Sequence, residues 1–111
     1  MKILVVSESV SIAHIIRPAA IANIAQELGH SVDFASDKTE FSPTLHPKIR
    51  HLHLPSIGSK TFLRRIRRHK IPYTYEDLQH YHSLDSELLS KSQPDFIIAD
   101  FRYSIAFRSS W

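Results

Sequence analysis

The chain contains no cysteine, and only two of its 111 residues are glycine. The absence of cysteine excludes disulfides and thiolate metal sites. No apolar run approaches the roughly 20 residues of a membrane-spanning helix, and the short run after Lys2 is too brief for a signal peptide. The sequence therefore predicts a soluble, cytoplasmic chain without a transmembrane segment.

Glycine is also missing from the junction between the first predicted strand and the helix that follows it. The stretch from Ser7 to Leu28 has none, so the G-x-G-x-x-G pattern of dinucleotide-binding proteins is absent. We therefore expect neither NAD nor FAD, and no other bound cofactor. A histidine, His14, lies where a phosphate-binding loop would otherwise be.

Acidic residues are absent from one long interval, between Glu40 and Glu76. That interval holds eight of the fourteen Lys and Arg residues, while the other six share the rest of the chain with all eleven acids. Five of those eight basic residues are concentrated in "RRIRRHK", residues 64–70. One basic segment is thus set into an otherwise acidic domain.

The apolar pattern predicts a β-α-β unit at the start of the chain. Residues 2–7 read as a buried parallel strand and residues 31–35 as a second one. The helix between them starts between Ala13 and Pro18, because Pro18 is expected in its first turn, and it is ended by Gly29. Its predicted core-facing stripe comprises Ile16, Ala20, Ile24 and Leu28, with Ile21 and Ala25 beside it.

The remainder of the chain is also predicted to contain both strands and helices. We expect one α/β domain with a parallel sheet of strand order 3-2-1-4 and flanking helices. The further predicted elements are a loop over 36–48, a strand over 48–55, a helix over 59–70, a helix over 75–92, a strand over 95–100 and a helix over 101–107.

Two blocks of the sequence resemble one known family. The first, residues 1–36, carries a histidine after the first strand, an H-x-x-R-P helix start and a G-H-x-V-x-F-A ending. Its matching residues are His14, Arg17, Pro18, Ile21, Ala22, Leu28, Gly29, His30, Val32, Phe34 and Ala35. The second, "PDFIIADFRYSIA" (94–106), is similar to the family's later strand and the helix after it. Both blocks resemble the N-terminal, acceptor-side domain of UDP-sugar-dependent glycosyltransferases with the GT-B fold.

The resemblance implies a Rossmann-like domain over residues 1–111 that binds the acceptor of a sugar transfer. The family's second domain, which binds the UDP-hexose type of donor, has no counterpart here. We therefore expect a truncated chain that is inactive alone. The implied partners are a small-molecule or lipid acceptor and that C-terminal donor domain. The chain departs from the family at Ala13, where glycine is usual.

His14 and Asp100 are the predicted catalytic residues. Histidine has a reference pKa of about 6.5 and suits the removal of a proton from an acceptor hydroxyl. A helix N-terminus favours the neutral imidazole, which is the basic form. Asp100 ends its strand at the same sheet edge and would orient the ring, as the aspartate does in a Ser-His-Asp triad.

Simpler interpretations of the same residues remain open at this point. His14 is also read as an ordinary exposed loop residue. Asp100 is also read as an N-cap of the helix expected at 101. Arg17 and Pro18 are interpreted as structural.

Two further histidines, His51 and His53, are separated by one residue on a predicted strand and would face the same side. Such a pair can bind Zn²⁺ or Cu²⁺, with His46 as a possible third ligand. Half-buried or exposed strand residues are the alternative interpretation. Because no third ligand lies nearby in the sequence, we expect no metal site.

Residues 60–70 support a second hypothesis from a different class, a small basic binding module without enzymatic activity. The segment is read as a solvated basic face, as a peripheral contact with anionic lipid, or as a phosphate-backbone site. Nucleic acid is the least favoured partner, because Phe62 is the sole aromatic residue available there for base stacking.

The end of the chain predicts poor packing. A sheet that stops before its next helix and strand leaves apolar side chains with few partners and a strand edge unpaired. The affected residues are Phe101, Tyr103, Ile105, Phe107 and Trp111. We therefore expect marginal stability and self-association.

Overall fold

The computed structural model describes residues 1–38 and 43–107, with only the backbone of residues 106 and 107. The predicted α/β class is confirmed for these residues. Four strands, numbered in chain order, form one parallel sheet in the predicted order 3-2-1-4. The elements are β1 (Lys2–Ser7), α1 (Ala13–Glu27), β2 (Ser31–Ser36), β3 (Arg50–His53), α2 (Ser59–Arg67), α3 (Tyr75–Ser92), β4 (Phe96–Asp100) and a 3₁₀ helix (Tyr103–Phe107).

Both faces of the sheet are covered, and β1 contributes to both layers. Ile3 and Val5 pack under α1, and Leu4 and Val6 pack on the other face against Leu88 of α3. Burial on both faces explains why β1 is a continuous apolar run and not an alternating one. Phe96, on the edge strand β4, is 54% exposed.

The predicted inner face of α1 is wrong. Ile16, Ile24 and Leu28 are 56%, 57% and 73% exposed, whereas the buried set is Ile15, Pro18, Ala19, Ala22 and Ala25. The helix is apolar nearly all round, so the spacing of apolar residues alone offers two faces. Small side chains let a helix approach the sheet closely, and that face is the one buried.

Element ends follow the local signals with small differences. α1 begins at Ala13 and Gly29 has φ +96°, as expected of a helix stop. α3 matches its predicted range and is capped by Thr74, whose hydroxyl accepts from the Asp77 N–H. α2 ends at Arg67, three residues before the predicted limit.

The segment after β4 differs from the predicted helix over 101–107. Phe101 has φ +64°, which no α-helix accommodates, and a 3₁₀ helix starts at Tyr103 instead. Ile105 is 4% exposed and packs in the α3 layer, so the expectation that it lacks partners is wrong. Tyr103 is 61% exposed. Trp111 and the side chain of Phe107 lie outside what the structure describes.

A buried carboxylate ties the sheet together beside α3. Asp33 of β2 is 1% exposed and binds Lys2 of β1 at 3.2 Å. It also accepts hydrogen bonds from Arg50 of β3 at 2.8 Å and from Ser92 at the end of α3 at 2.8 Å. Burial would raise the pKa of Asp33, but the bonds from these three partners outweigh it and hold the pKa below its usual range.

Among the helices that the structure describes, none has the length and apolar character needed to cross a bilayer.

Candidate functional site

His14 and Asp100 meet at the carboxyl edge of the sheet. Asp100 ends β4 beside Ser7, the last residue of β1, and His14 is the second residue of α1. The His14 Nδ1 atom lies 3.0 Å from Asp100 Oδ1, within hydrogen-bond distance. The predicted geometry of the pair is therefore present, 86 residues apart in sequence.

Arg17, which was interpreted from the sequence as structural, belongs to the same group of residues. Its Nε donates to Asp100 Oδ2 at 2.9 Å and its Nη2 donates to Oδ1 at 3.0 Å. This is the two-pronged arrangement in which guanidinium and carboxylate bind most strongly. The three-residue spacing from His14 to Arg17 places both on one helix face and was the available sequence signal.

The ionised Asp100 determines which ring nitrogen of His14 carries the proton. Burial would raise the pKa of Asp100, but the hydrogen bonds from Arg17 and His14 outweigh it and hold the pKa below its usual range. A carboxylate accepts only, so Nδ1 is the donor in the 3.0 Å contact with Asp100. Arg17 Nη2, which can only donate, lies farther from the same nitrogen, at 3.4 Å. Nε2 then has the free lone pair, and it has no hydrogen-bond partner within residues 1–38 and 43–107.

Pro18 and Ser7 hold the first turn of α1 in place. Pro18 is the sixth residue of the helix, beyond the predicted first turn, and it cannot donate to the carbonyl of His14. The Ser7 hydroxyl donates to that carbonyl instead. This bond anchors the His14 backbone to the end of β1. α1 has no side-chain cap and no acidic residue in its first turn, so Asp100 supplies the negative charge there.

Phe101 sets the orientation of the imidazole from its other side. Its ring stacks on His14 with centroids 4.7 Å apart and an interplanar angle of 21°. Positive φ is a rare and strained conformation for a bulky residue, and such residues cluster at functional sites. From the sequence, Phe101 was predicted to lie in a helix, and its contact with His14 was not predicted.

An apolar cleft of about 230 Å³ opens beside Phe101. Its walls are mainly aromatic. They consist of Ile71, Tyr73, Leu78, Tyr81, Phe101, Tyr103 and Ser104. Phe101 contacts both places, because its ring lines this cleft and also stacks on the imidazole of His14.

Charged side chains are fully buried behind the cleft, in what we call the buried ionic cluster: Glu8, Asp85 and Arg102. Arg102 Nη1 donates to Glu8 at 3.2 Å and Arg102 Nε donates to Asp85 at 3.1 Å. All three side chains are 0% exposed. Arg102 Nη2 lies 3.0 Å from Asp85 but makes no hydrogen bond in the described part of the chain.

Two cleft tyrosines connect the apolar walls to the buried ionic cluster. The hydroxyls of Tyr73 and Tyr81 each donate to Glu8 Oε2 at 2.6 Å. Burial is the main cause that raises the pKa of both phenols, and the nearby Glu8 carboxylate raises it further. Both hydroxyls therefore remain protonated donors. Arg102 lies 3.6 Å above the Tyr81 ring. No local sequence pattern pointed to this cluster, because its members come from distant segments.

The other candidate histidines are not assembled into one site. His51 Nε2 lies 2.8 Å from the Ser36 hydroxyl, and His53 Nε2 lies 3.0 Å from Asp37. His46 Nδ1 accepts from the Lys48 N–H. Among the residues described, no group of three or more His, Asp or Glu side chains is placed to hold a metal ion.

Comparison with known proteins finds relatives that are named glycosyltransferases. The chain is similar to glycosyltransferases. It is 30% identical over 106 residues to a PGL/p-HBAD biosynthesis rhamnosyltransferase of Mycobacterium tuberculosis, covering 95% of this chain and 23% of the relative. It is 28% identical to a PGL/p-HBAD biosynthesis glycosyltransferase of the same species, covering 95% and 24%.

The chain spans about a quarter of the length of the curated relatives it matches. An inactive PGL/p-HBAD biosynthesis glycosyltransferase of Mycobacterium bovis is also 28% identical, covering 95% of this chain and 29% of the relative. Relatives named as glycosyltransferases and one named as inactive are thus similar to this chain to nearly the same degree, so the similarity alone does not show activity. No family model matches the chain, and no solved structure matches it significantly.

Proposed function

We propose that this chain forms the acceptor side of a glycosyltransferase and that His14 is its general base. The observation that carries the proposal is the 3.0 Å contact from His14 Nδ1 to Asp100, which leaves Nε2 free. The Phe101 ring that stacks on this imidazole also lines the apolar cleft. The similarity to named glycosyltransferases supports the same conclusion.

The proposed reaction moves a sugar from a UDP-hexose type of donor to an acceptor hydroxyl. The hydroxyl proton passes to His14 Nε2 while the oxygen forms a bond to the anomeric carbon of the sugar. The bond from that carbon to the nucleoside diphosphate breaks, and the diphosphate leaves with the electron pair. Asp100 stabilises the imidazolium that forms, and Arg17 keeps Asp100 ionised and oriented.

The cleft suggests what the acceptor looks like. Aromatic walls stack well on flat apolar bodies, and one of these walls, Phe101, also stacks on the imidazole of His14. We therefore propose a hydroxylated acceptor with an aromatic or otherwise apolar body. The diphosphate of the donor would be bound by a second domain, as the resemblance to GT-B glycosyltransferases implies.

The first experiment reads the tautomer of His14 in the 111-residue chain. Long-range ¹H–¹⁵N spectra of the neutral imidazole distinguish a proton on Nδ1 from one on Nε2. We expect Nδ1–H in the wild type and a shift toward Nε2–H in Asp100→Ala, which loses the acceptor. A wild-type ring protonated at Nε2 would contradict the assignment of His14 as a base.

The second experiment measures acceptor binding with 2-naphthol as the probe. We expect saturable shifts in the His14 and cleft resonances, and weaker binding in Tyr103→Ala, which removes an exposed wall of the cleft. Phe96→Ala is the matched control, because this exposed aromatic residue lies at the opposite end of β4. Equal loss in both variants would show that the cleft is not the acceptor site.

Activity provides a third check. The resemblance places donor binding on a second domain, so we expect the 111-residue chain alone not to transfer sugar from UDP-glucose to 2-naphthol. Turnover by this chain, abolished in His14→Ala, would support the base and refute the division of donor and acceptor between two domains.

α2 supports a second candidate function, the binding of an anionic partner through residues 60–70 without catalysis.

A further inference from the structure

α2 and the residues just after it present a continuous basic surface, which we call the α2 basic face. It consists of Lys60, Arg64, Arg67, Arg68 and Lys70, all of them exposed. Residues spaced three, four and seven apart share one side of a helix, so Lys60, Arg64 and Arg67 are aligned. Within the described residues none of the five has an acidic partner, since Asp77 is paired with Arg65 at 2.6 Å.

Aliphatic side chains border this basic face. Leu63 and Ile66 are 46% and 45% exposed, and Ile71 is 79% exposed. Leu63 lines a shallow groove of about 350 Å³ together with four members of the α2 basic face: Lys60, Arg64, Arg67 and Arg68. Aliphatic and cationic side chains are therefore exposed to solvent next to each other on α2 and the residues just after it.

The inner side of α2 is attached to the rest of the molecule through Arg65, which is bonded to Asp77 and to the Pro72 carbonyl, and through an aromatic residue, Phe62. Phe62 packs against Tyr73 and Phe101, with ring centroids 6.1 Å and 5.7 Å apart. The helix is thus held with its aliphatic edge and its basic face toward solvent. Through Phe101, which stacks on His14, it also lies close to the candidate site.

This combination fits one class of partner better than the others. A nucleic-acid backbone would use the cations but gain nothing from Leu63, Ile66 and Ile71, and Phe62 is packed inward and unavailable for base stacking. A bilayer interface with anionic headgroups takes both kinds of group: aliphatic side chains enter the acyl boundary while Lys and Arg contact the headgroups.

We propose that α2 docks the protein on the surface of an anionic membrane. The helix lies in the plane of the interface, with Leu63 and Ile66 inserted and the α2 basic face on the headgroups. Docking would bring the His14 side of the molecule to the membrane surface. The proposal does not depend on sugar transfer, because it uses none of the residues assigned to catalysis.

Vesicle co-sedimentation of the 111-residue chain tests the proposal. Phosphatidylcholine vesicles with 30% phosphatidylglycerol are compared with pure phosphatidylcholine vesicles. We expect binding to the mixed vesicles, weakening with added salt, and little binding to the neutral ones. Equal binding to both, or none to either, would refute an anionic membrane as the partner.

Two double variants separate a specific surface from net charge. Arg64→Gln/Arg67→Gln should weaken binding about 25-fold, since each basic residue contributes roughly a factor of five at an anionic surface. Lys48→Gln/Lys91→Gln removes the same charge from exposed positions elsewhere and should change binding less than about twofold. Equal losses in the two would mean attraction by net charge alone and would refute docking through α2.

The aliphatic edge is tested independently with Leu63→Ser/Ile66→Ser. We expect at least a tenfold loss of vesicle binding with all charges retained. Duplex DNA serves as the competing ligand. DNA binding that needs Arg64 and Arg67, combined with unchanged vesicle binding by Leu63→Ser/Ile66→Ser, would identify a nucleic-acid surface and overturn the proposal. Far-UV circular dichroism and thermal unfolding confirm that every variant is folded.

Discussion

Replacing Arg102 with methionine is expected to destabilise the protein strongly. The guanidinium is fully buried between the carboxylates of Glu8 and Asp85, and it also donates to the carbonyl of Pro55 at 3.0 Å. Methionine keeps much of the side-chain length and apolar volume, so little cavity is created. The main effect is that two buried carboxylates lose their counter-charge.

The size of the effect follows from that burial. Removing one partner of a buried ion pair costs about 3–5 kcal/mol, because the remaining charge is left uncompensated. Small domains have total stabilities of roughly 5–15 kcal/mol. At about 4 °C per kcal/mol for a domain of this size, the melting temperature should fall by about 12–20 °C.

Urea denaturation followed by circular dichroism measures the change in unfolding free energy. Arg64→Met is the matched control, because Arg64 is exposed and makes no ion pair within the described residues; it should cost less than about 0.5 kcal/mol. Adding Asp85→Asn to Arg102→Met should cost less than the sum of the two single changes, because the amide removes one uncompensated charge. A loss below about 1 kcal/mol for Arg102→Met would refute the argument.

Three further outcomes are expected. Tyr81→Phe should cost about 1–3 kcal/mol by urea denaturation, because the hydroxyl that binds Glu8 and accepts from the Ile57 N–H is lost. The pKa of Asp33 is lower in the folded protein than in the unfolded chain, where it is about 3.9. The ionised carboxylate therefore stabilises the fold above about pH 3.9, and this stabilisation is lost as the pH falls through the pKa of the folded state. Unfolding free energies measured from pH 7 to pH 3 should therefore fall less in Asp33→Asn than in the wild type. The exposed apolar face of α1 should cause concentration-dependent sedimentation at micromolar concentrations, and Ile24→Glu should reduce it.

Each of these outcomes has a result that would contradict it. Tyr75 is 75% exposed, so Tyr75→Phe should be close to neutral, and an equal loss in Tyr81→Phe and Tyr75→Phe would remove the case for the buried hydroxyl. Identical acid sensitivity in Asp33→Asn and wild type would assign the pH dependence to other groups. A wild-type chain that sediments as a monomer throughout the micromolar range would end the self-association hypothesis.

Local patterns were sufficient for much of the fold. The continuous apolar run of β1 and the Gly29 stop each act within a few residues, so the elements they define were predicted nearly at their observed ends. The strand order 3-2-1-4 was also predicted correctly. The inner face of α1 was predicted wrongly, because both of its faces are apolar and only packing against the sheet selects the smaller side chains.

The candidate site divides in the same way. The residues His14 and Asp100 were identified from sequence, because a histidine at a helix start and an aspartate at a strand end meet at one edge of a parallel sheet. Arg17 could be aligned with His14 from its spacing, but its partner lies 83 residues away. The cleft and the stacking of Phe101 depend on a positive φ that no residue type at that position signals.

The sequence by itself determined the α/β class, the position of the helices and strands, and the basic character of residues 60–70, because hydrophobic periodicity, capping and charge are properties of neighbouring residues. The tertiary structure alone decided that Arg102 lies buried between two acids, 94 residues from Glu8 and 17 from Asp85. Such burial is stable only when the partners converge from separate segments, and that convergence is a product of the complete packing and not of any local pattern.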